Sequence, residues 1–285
     1  MHIVRHGRTL ITGASSGIGL ELAREFGRHG HPLIITAPVE SELDEVARDL
    51  EAETGVSVRV IAKDLEQSES AREIYDSTVE EGEPVDILVN NAGLGHLGRF
   101  WEVSLEDHLS MLRLNVESVL RLTRLFLPDM VARKRGRILN TASVAGFEPG
   151  PSMATYHATK AFMLSLSESL VEELKDTGIT VTALCPGVTD TDFLPKAGMT
   201  DTRIFQTTHV SSPQEVAADG YEALMRSDPI CVVGAKNKAQ VFARRFLPKT
   251  TQAKLAASNY RKVPPDKRKR QRGDIQYDVE HRKAA

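Results

Sequence analysis

Tyr156 and Lys160 are the residues whose types and spacing most directly suggest chemistry. They are four positions apart in a stretch with helical periodicity, so their side chains share one face of the predicted helix. A free tyrosine has a pKa of about 10, and a neighbouring ammonium group favours the phenolate. Tyr156 is therefore a candidate general acid toward a carbonyl, or base toward an alcohol. Ser143 could hold the same substrate oxygen, although any single Tyr–Lys pair of this kind is also common on ordinary helices.

A glycine-rich turn forms a second candidate site, between the first predicted strand and the first predicted helix. It reads Thr12-Gly13-Ala14-Ser15-Ser16-Gly17-Ile18-Gly19. Gly13 allows the chain to turn, Gly17 allows the backbone to approach a pyrophosphate, and Gly19 allows close packing of the helix on the sheet. The N–H groups and the positive dipole of a helix N-terminus favour phosphate. The strand–turn–helix context predicts a dinucleotide-binding site.

Two more loops follow predicted strands and would lie near the same site. Asn90-Asn91-Ala92-Gly93 ends the fourth strand, and Pro186-Gly187-Val188-Thr189-Asp190-Thr191 follows the sixth. In doubly wound folds, ligands bind at the edge where the carboxyl ends of parallel strands meet. The backbone and hydroxyls of the second loop could hold a carboxamide. Each loop is also compatible with an ordinary turn.

These loops need a parallel sheet to bring them together, and the sequence predicts one. Short β-branched segments alternate with longer stretches of helical periodicity. Strands are predicted near residues 9–12, 33–36, 56–62, 85–89, 137–141, 179–184 and 230–233. Helices are predicted over about 18–29, 41–50, 68–81, 104–133 and 152–178. The predicted fold class is α/β, a doubly wound, Rossmann-type parallel sheet of about seven strands with helices on both faces, within a domain of residues 1–248.

The composition fits one globular domain. Of the 285 residues, 41% are hydrophobic and 26% charged, and the formal net charge is −3. These values exclude extended disorder and coiled coils, and argue against a whole-body nucleic-acid binder. The two cysteines cannot form a disulfide framework, and no His/Cys/Asp cluster has metal-ligand spacing, so no metal site is predicted. With no signal peptide and no apolar segment near the roughly 20 residues of a membrane span, a cytoplasmic location is expected.

The composition changes after residue 248. Seven basic residues lie between Arg261 and Arg272 against one acid, with two prolines and almost no apolar side chain. Such a segment buries too little apolar surface to order itself. Residues 249–285 are therefore expected to form a basic, mobile and solvated tail. Contact of this tail with nucleic acid or an anionic surface is the less favoured alternative.

Together these motifs resemble the short-chain dehydrogenase/reductase family, in its single-domain subgroup with TGxxxGxG and YxxxK motifs. The resemblance covers residues 9–233. It implies hydride transfer between NAD(P)(H) and a carbonyl or secondary alcohol. It also implies a catalytic tetrad in which Ser143 orients the carbonyl and Tyr156 exchanges the proton. Lys160 would bind the nicotinamide ribose and lower the tyrosine pKa, and Asn115 would hold a water in a proton relay through Lys160.

The resemblance further implies a set of cofactor contacts. The dinucleotide turn would comprise Gly13, Ser15, Ser16, Ile18 and Gly19; Asp64 and Leu65 would contact adenine; Asn91, Ala92 and Gly93 would line the adenosine ribose; and Pro186, Gly187, Val188, Thr189 and Thr191 would surround the nicotinamide. Two of these assignments have structural alternatives. Asp64 could simply cap the next helix, and Asn115 could be a buried amide that bridges helix turns.

One departure from the family pattern concerns the choice of cofactor. Members that prefer NAD usually carry an acid at the end of the second strand, where it binds the ribose 2′-hydroxyl. This sequence has Ala37 there. Members that prefer NADP often carry a base at the positions of Pro38 or Ser16, and neither residue is basic. Because the acid is missing, NADP(H) is expected in preference to NAD(H).

The remaining expectations concern substrate and assembly. Residues 192–212 follow the cofactor loop, where the family places its substrate lid, and their apolar side chains indicate a medium-sized apolar ketone or secondary alcohol. The two long helices are the surfaces that this family uses to form homodimers and homotetramers. An epimerase or dehydratase on the same fold is one alternative. A non-catalytic nucleotide-binding sensor or scaffold that uses the basic C-terminal tail is another.

Overall fold

Seven strands form the centre of the molecule. The computed structural model describes residues 7–80, 82, 84–271 and 273. Within this part the strands are β1 (Arg8–Thr12), β2 (Leu33–Thr36), β3 (Val58–Val60), β4 (Val85–Asn90), β5 (Gly136–Thr141), β6 (Ile179–Cys185) and β7 (Ile230–Val232). They are the strands that the β-branched segments predict, with ends shifted by a few residues at most.

The strands form one sheet in the order β3-β2-β1-β4-β5-β6-β7, and every neighbouring pair is parallel. The chain first adds strands on one side of β1 and then on the other. The reversal between β1 and β4 opens a crevice at the carboxyl edge, where ligands of such sheets bind. The predicted doubly wound, Rossmann-type fold is confirmed.

Helices connect the strands and cover both faces of the sheet. They are α1 (Gly17–Arg28), α2 (Glu40–Thr54), α3 (Ser70–Glu80), α4 (Leu105–Leu112), α5 (Ser118–Arg133), α6 (Ala154–Glu173), α7 (Phe193–Lys196), α8 (Arg203–Thr207), α9 (Pro213–Arg226), α10 (Ala235–Arg244) and α11 (Lys249–Asn259). One apolar core includes Phe26 of α1, Leu43 of α2 and Leu224 of α9. A second includes Ile74 of α3 and Phe126 of α5. None of the described helices is long and apolar enough to cross a membrane.

The long helix predicted over 104–133 is present but interrupted. A single π-helical stretch, Arg113–Glu117, separates α4 from α5. Its core-facing residues include Met111, Val119 and Leu122. Leu105 and Leu112, which belong to its most conspicuous apolar spacing, are 73% and 44% exposed instead. The helix therefore carries a second, outward apolar face.

The expectation of a solvated tail from residue 249 is wrong for the part of it that the structure describes. After α11, the backbone N–H of Val263 donates to the carbonyl of Asp201 at 2.7 Å. The side-chain oxygen of Gln206 accepts from the backbone N–H groups of Lys269 and Arg270, at 2.7 and 3.0 Å. Hydrogen bonds to the segment around α7 and α8 thus hold this stretch, although it buries little apolar surface. Residues 272 and 274–285 lie outside the described residues.

Candidate active site

The glycine turn after β1 is shaped for a phosphate. Gly13 has a φ of +65°, and a Cβ there would lie 2.9 Å from the Cα of Ala92. A Cβ at Gly19 would lie 2.1 Å from the carbonyl oxygen of Gly13, so only glycine lets α1 start this close to the turn. Within the described chain, the N-cap residue Ser16 makes no side-chain hydrogen bond to the helix end. The N–H groups of the first helical turn therefore remain free to bind an anion.

The loop after β4 is tied to the glycine turn. The hydroxyl of Thr12 accepts from the backbone N–H groups of Asn91 and Ala92, each at 2.9 Å. The amide nitrogen of Asn91 donates back to the carbonyl of Thr12 at 3.0 Å. These bonds fix the carboxyl ends of β1 and β4 relative to each other. Asn91, Ala92 and Gly93 consequently form one wall of the crevice.

The loop after β6 forms the opposite wall. Pro186, Gly187, Val188, Thr189 and Thr191 all line the cavity. A Cβ at Gly17 would lie 3.1 Å from the Cβ of Thr191, so this loop meets the glycine turn across the crevice. A Cβ at Gly187 would lie 2.5 Å from the side-chain nitrogen of Asn237, at the start of α10. The glycine therefore lets the loop lie close to α10.

The ends of β2 and β3 form the third side. Ala37, Asp64 and Leu65 line it together with Lys63. The Asp64 carboxylate accepts a hydrogen bond from the backbone N–H of Glu66 at 3.0 Å, so it also holds the turn that precedes α3. Lys63 is a basic residue that the family pattern did not indicate, because that pattern places basic residues at the positions of Pro38 and Ser16. The signal was present as a lysine directly before Asp64.

Asn115 lies inside the π-helical stretch, 1% exposed. Its side-chain oxygen accepts from the backbone N–H of Leu94 at 2.9 Å, and its amide nitrogen donates to the carbonyl of Leu94 at 2.8 Å. A Cβ at Gly93 would lie 3.2 Å from that side-chain oxygen and 3.6 Å from the Nζ of Lys160. π-Helical turns often occur at functional sites. Here one places a buried amide on the loop after β4, close to Lys160.

Lys160 points from α6 to the end of β5. Its side chain is 5% exposed. The Nζ atom donates a hydrogen bond to the carbonyl of Thr141 at 2.7 Å. Burial disfavours the charged form and lowers the pKa of Lys160 to about 8. The ammonium form therefore still predominates at neutral pH.

Tyr156 stands one helical turn before Lys160 and faces the cavity. The Tyr156 residue is partly exposed, but protein atoms surround its hydroxyl. Burial raises the pKa of Tyr156 to about 12, and a hydrogen bond with Ser143 opposes that shift only in part. A lowering of this pKa by Lys160 stays a prediction, because desolvation of the phenol dominates the shift in the structure. The phenol is protonated at neutral pH and suits a general acid.

Ser143 completes the group. It caps the short 3₁₀ helix Val144–Phe147, and its hydroxyl accepts from the backbone N–H of Ala145 at 3.1 Å. The same hydroxyl lies 3.4 Å from the carbonyl oxygen of Pro186. These contacts hold Ser143 between the loops after β5 and β6. Its oxygen is thereby placed beside the Tyr156 phenol.

These side chains share a cavity of about 580 Å³. Every residue that the sequence predicted for the site lines it, except Gly19 and Asn115. These two lie directly behind the wall, against the carbonyl of Gly13 and against Leu94 respectively. The cavity continues past Tyr156 into an apolar part, where the side chains of Met153, Phe193, Leu194 and Met199 cluster.

The cavity also has a polar wall that the sequence did not indicate. It consists of Glu148, His157, Arg244, Asn259 and Tyr260. Arg244 and Glu148 form an ion pair at 2.8 Å whose side chains are only 12% and 8% exposed. Asn259 and Tyr260 belong to the segment that was expected to form the tail. The apolar side chains that the sequence indicated therefore line only part of the cavity.

Known proteins resemble this chain in sequence and in structure. The family described as short chain dehydrogenase matches residues 8–201. An oxidoreductase of Staphylococcus saprophyticus is 35% identical over 192 residues, which are 67% of this chain and 81% of that protein. A short-chain dehydrogenase from Sphingobium yanoikuyae, solved in complex with NADPH, is 33% identical with a TM-score of 0.75, over 84% of this chain and 94% of that one. A bulky-bulky ketone specific alcohol dehydrogenase from Comamonas testosteroni is 32% identical with a TM-score of 0.73, over 85% and 93%.

The match to the family extends over more than half of the chain, and it covers the glycine turn, the loop after β4 and the Ser143–Tyr156–Lys160 group. The relatives agree with it in sequence and in fold. The chain belongs to the short-chain dehydrogenase/reductase family and is an NAD(P)-dependent oxidoreductase.

Proposed function

We propose that this enzyme reduces a medium-sized ketone to a secondary alcohol, or catalyses the reverse oxidation, with NADP(H) as its preferred cofactor. The observation that carries the proposal is the placement of Tyr156, with Ser143 and Lys160, where the dinucleotide crevice meets the apolar part of the cavity. When bound, the reduced nicotinamide supplies the hydride. The glycine turn would hold the pyrophosphate, and the loop after β6 would hold the nicotinamide ring.

The side chains of this enzyme supply the proton. Ser143 would donate a hydrogen bond to the carbonyl oxygen and fix its position next to the phenol. Tyr156 would transfer its hydroxyl proton to that oxygen as the alcohol forms. The Lys160 ammonium, 5.7 Å from the Tyr156 ring centre, would stabilise the phenolate left behind. Asn115 would position the loop around Leu94 and hold a water that returns the proton through Lys160.

The cofactor preference rests on the third side of the crevice. Ala37 offers no carboxylate for a ribose 2′-hydroxyl, and the backbone N–H of neighbouring Lys63 donates to its carbonyl at 3.0 Å. The Nζ of Lys63 lies 2.5 Å from Glu73, with a side chain that is 37% exposed. A 2′-phosphate could therefore recruit this ammonium group as a charged partner. The relative from Sphingobium yanoikuyae binds NADPH, which supports the same choice.

The substrate class follows from the size and lining of the cavity. The cavity of about 580 Å³ comprises the dinucleotide crevice and an adjoining substrate part that would accommodate a medium-sized molecule. The apolar cluster around Met153, Phe193 and Met199 would bind a hydrocarbon or aromatic substituent. The relative from Comamonas testosteroni, whose name specifies bulky-bulky ketones, is consistent with a ketone that is large on both sides.

We further propose that the enzyme is a homo-oligomer joined through the outward apolar face of α4 and α5. Leu105, Leu112 and Leu120 on this face are 73%, 44% and 42% exposed. Contiguous exposed apolar surface of this kind typically marks a protein–protein contact. A cytoplasmic location stays a prediction from the sequence.

The proposed reaction is tested by following the oxidation of NADPH and NADH with a panel of aryl and alkyl ketones. We expect turnover with at least one bulky ketone, faster with NADPH than with NADH. Cofactor binding without turnover of any ketone or alcohol would instead favour the nucleotide-sensing alternative. Conversion of substrate without net cofactor oxidation would favour an epimerase or dehydratase.

A further inference from the structure

Tyr260 brings its side chain from the C-terminal segment to the wall of the cavity. The residue follows α11 and lines the cavity together with His157. Its ring packs in the same apolar cluster as Tyr156 and Phe193. Its hydroxyl oxygen lies 2.6 Å from the Nε2 atom of His157. The segment that sequence reasoning assigned to a tail thus contributes to the substrate part of the site.

The direction of the His157–Tyr260 hydrogen bond follows from the other side of the imidazole. Nδ1 of His157 lies 2.9 Å from the backbone carbonyl oxygen of Glu148. A carbonyl can only accept, so Nδ1 carries a hydrogen. Burial lowers the pKa of His157, and nearby Arg244 lowers it further, against the smaller effect of backbone carbonyls. The ring is therefore neutral at pH 7, Nε2 has a lone pair, and the Tyr260 hydroxyl donates to it.

The surrounding residues hold this arrangement in place. A Cβ at Gly150 would lie 2.0 Å from the His157 ring, so the ring occupies space that only glycine leaves free. The Glu148 carboxylate is paired with Arg244 of α10 at 2.8 Å. The loop whose Glu148 carbonyl accepts the hydrogen bond from His157 is thereby anchored to the C-terminal helices. Both the tautomer of His157 and the orientation of Tyr260 are thus set by contacts outside the cavity.

We propose that the Tyr260 oxygen is a hydrogen-bond acceptor for a hydroxyl or other donor group of the substrate, separate from the carbonyl that Tyr156 protonates. Since its own hydrogen is committed to His157, Tyr260 presents only lone pairs to the cavity. This inference rests on the proposed carbonyl reduction and narrows its substrate class. The preferred substrates are ketones that also carry a hydroxyl, with their apolar part against Met153 and Phe193.

The test compares matched pairs of ketones that differ by one hydroxyl. Phenacyl alcohol against acetophenone places the hydroxyl close to the carbonyl, and para-hydroxybenzylacetone against benzylacetone places it far away. The wild-type enzyme should prefer the hydroxylated member of at least one pair. In Tyr260→Phe, kcat/KM for that member should fall about 10-fold more than kcat/KM for its partner, the loss expected for one buried hydrogen bond.

Tyr75→Phe is the matched control. It removes a hydroxyl that donates to Asp129 at 2.8 Å, outside the residues that line this cavity. Tyr75→Phe should leave the ratio of the two kcat/KM values within each ketone pair unchanged. Equal losses on both members in Tyr260→Phe, or no preference in wild type for either hydroxylated ketone, would overturn the assignment.

Failure of the underlying reaction gives a different result. If the wild-type enzyme does not oxidise NADPH in the presence of any of the ketones tested, the proposed function is wrong. The Tyr260 assignment is then decided by calorimetric binding of phenacyl alcohol and acetophenone to the NADPH complex. Tighter binding of phenacyl alcohol that disappears in Tyr260→Phe would support the acceptor, and equal binding would refute it.

Discussion

The Nζ atom of Lys160 lies 5.7 Å from the centre of the Tyr156 ring, and the pKa values of the two side chains are shifted in opposite directions. Burial raises the pKa of Tyr156 to about 12 and lowers that of Lys160 to about 8. Around neutral pH the pair is therefore a neutral phenol beside an ammonium group. That is the state in which Tyr156 can donate a proton and Lys160 can stabilise the resulting phenolate.

The pH dependence of carbonyl reduction should follow Lys160. Its ammonium form is present below a pH of about 8 and is lost as the pH rises through that value, whereas Tyr156 stays protonated. We expect kcat/KM for ketone reduction to be constant near pH 7 and to fall above about 8. Lys160→Met should lower kcat/KM by about 10²-fold and abolish the fall in kcat/KM above about pH 8. If that fall persists in Lys160→Met, another group is responsible for it.

Asn115 should matter for stability as well as for turnover. Its side chain holds both the N–H and the carbonyl of Leu94, and it is buried. Asn115→Ala leaves both backbone groups without this partner, so the free energy of unfolding should fall by about 2–4 kcal/mol. Ser118→Ala, which removes one local bond to the Leu114 carbonyl, should cost less than about 1 kcal/mol. Chemical denaturation of both variants checks this, and equal unfolding midpoints would contradict it.

Lys63 should determine the preference for NADPH. Lys63→Ala removes the base beside Ala37, so the Kd for NADPH should rise about 10-fold through loss of a charge-assisted hydrogen bond. The Kd for NADH should change little. Lys254→Ala, on the exposed surface of α11, controls for a general effect of charge. Fluorescence titration of wild type and both variants measures the Kd for each cofactor, and an equal loss for both cofactors in Lys63→Ala would exclude a specific contact with the 2′-phosphate.

Assembly should depend on the outward face of α4 and α5. Leu105→Glu combined with Leu112→Glu places two charges on this face, and the oligomer should dissociate to monomers in light scattering after size exclusion. Leu255→Glu, which replaces a leucine that is 54% exposed on α11, should leave the molar mass unchanged. An oligomer that survives the double substitution would place the interface elsewhere.

The features of the fold and the site that the sequence could predict depend on local patterns. The strands, the glycine turn around Gly13 and the Tyr156–Lys160 pair each follow from spacing over a few residues. The polar wall does not, because Tyr260 and His157 are 103 positions apart in the sequence and the Arg244–Glu148 pair is similarly distant. Residues 261–271 lack an apolar pattern and are held by hydrogen bonds such as that from the backbone N–H of Lys269 to the side-chain oxygen of Gln206.

The elevated pKa of Tyr156 could not be predicted either. The sequence shows that a lysine is one helical turn away, and this alone suggests a lowered pKa. The degree of burial of the phenol depends on the loops after β4 and β6 and on the cluster around Phe193. Desolvation by these distant segments reverses the direction of the shift.

The most direct test of the central claim compares wild type with Tyr156→Phe, by measuring NADPH binding and ketone-dependent NADPH oxidation on the same samples. We expect similar Kd values for NADPH and a rate at least about 10²-fold lower in Tyr156→Phe. A Tyr156→Phe variant that binds NADPH and reduces the ketone at the wild-type rate would show that Tyr156 is not the proton donor.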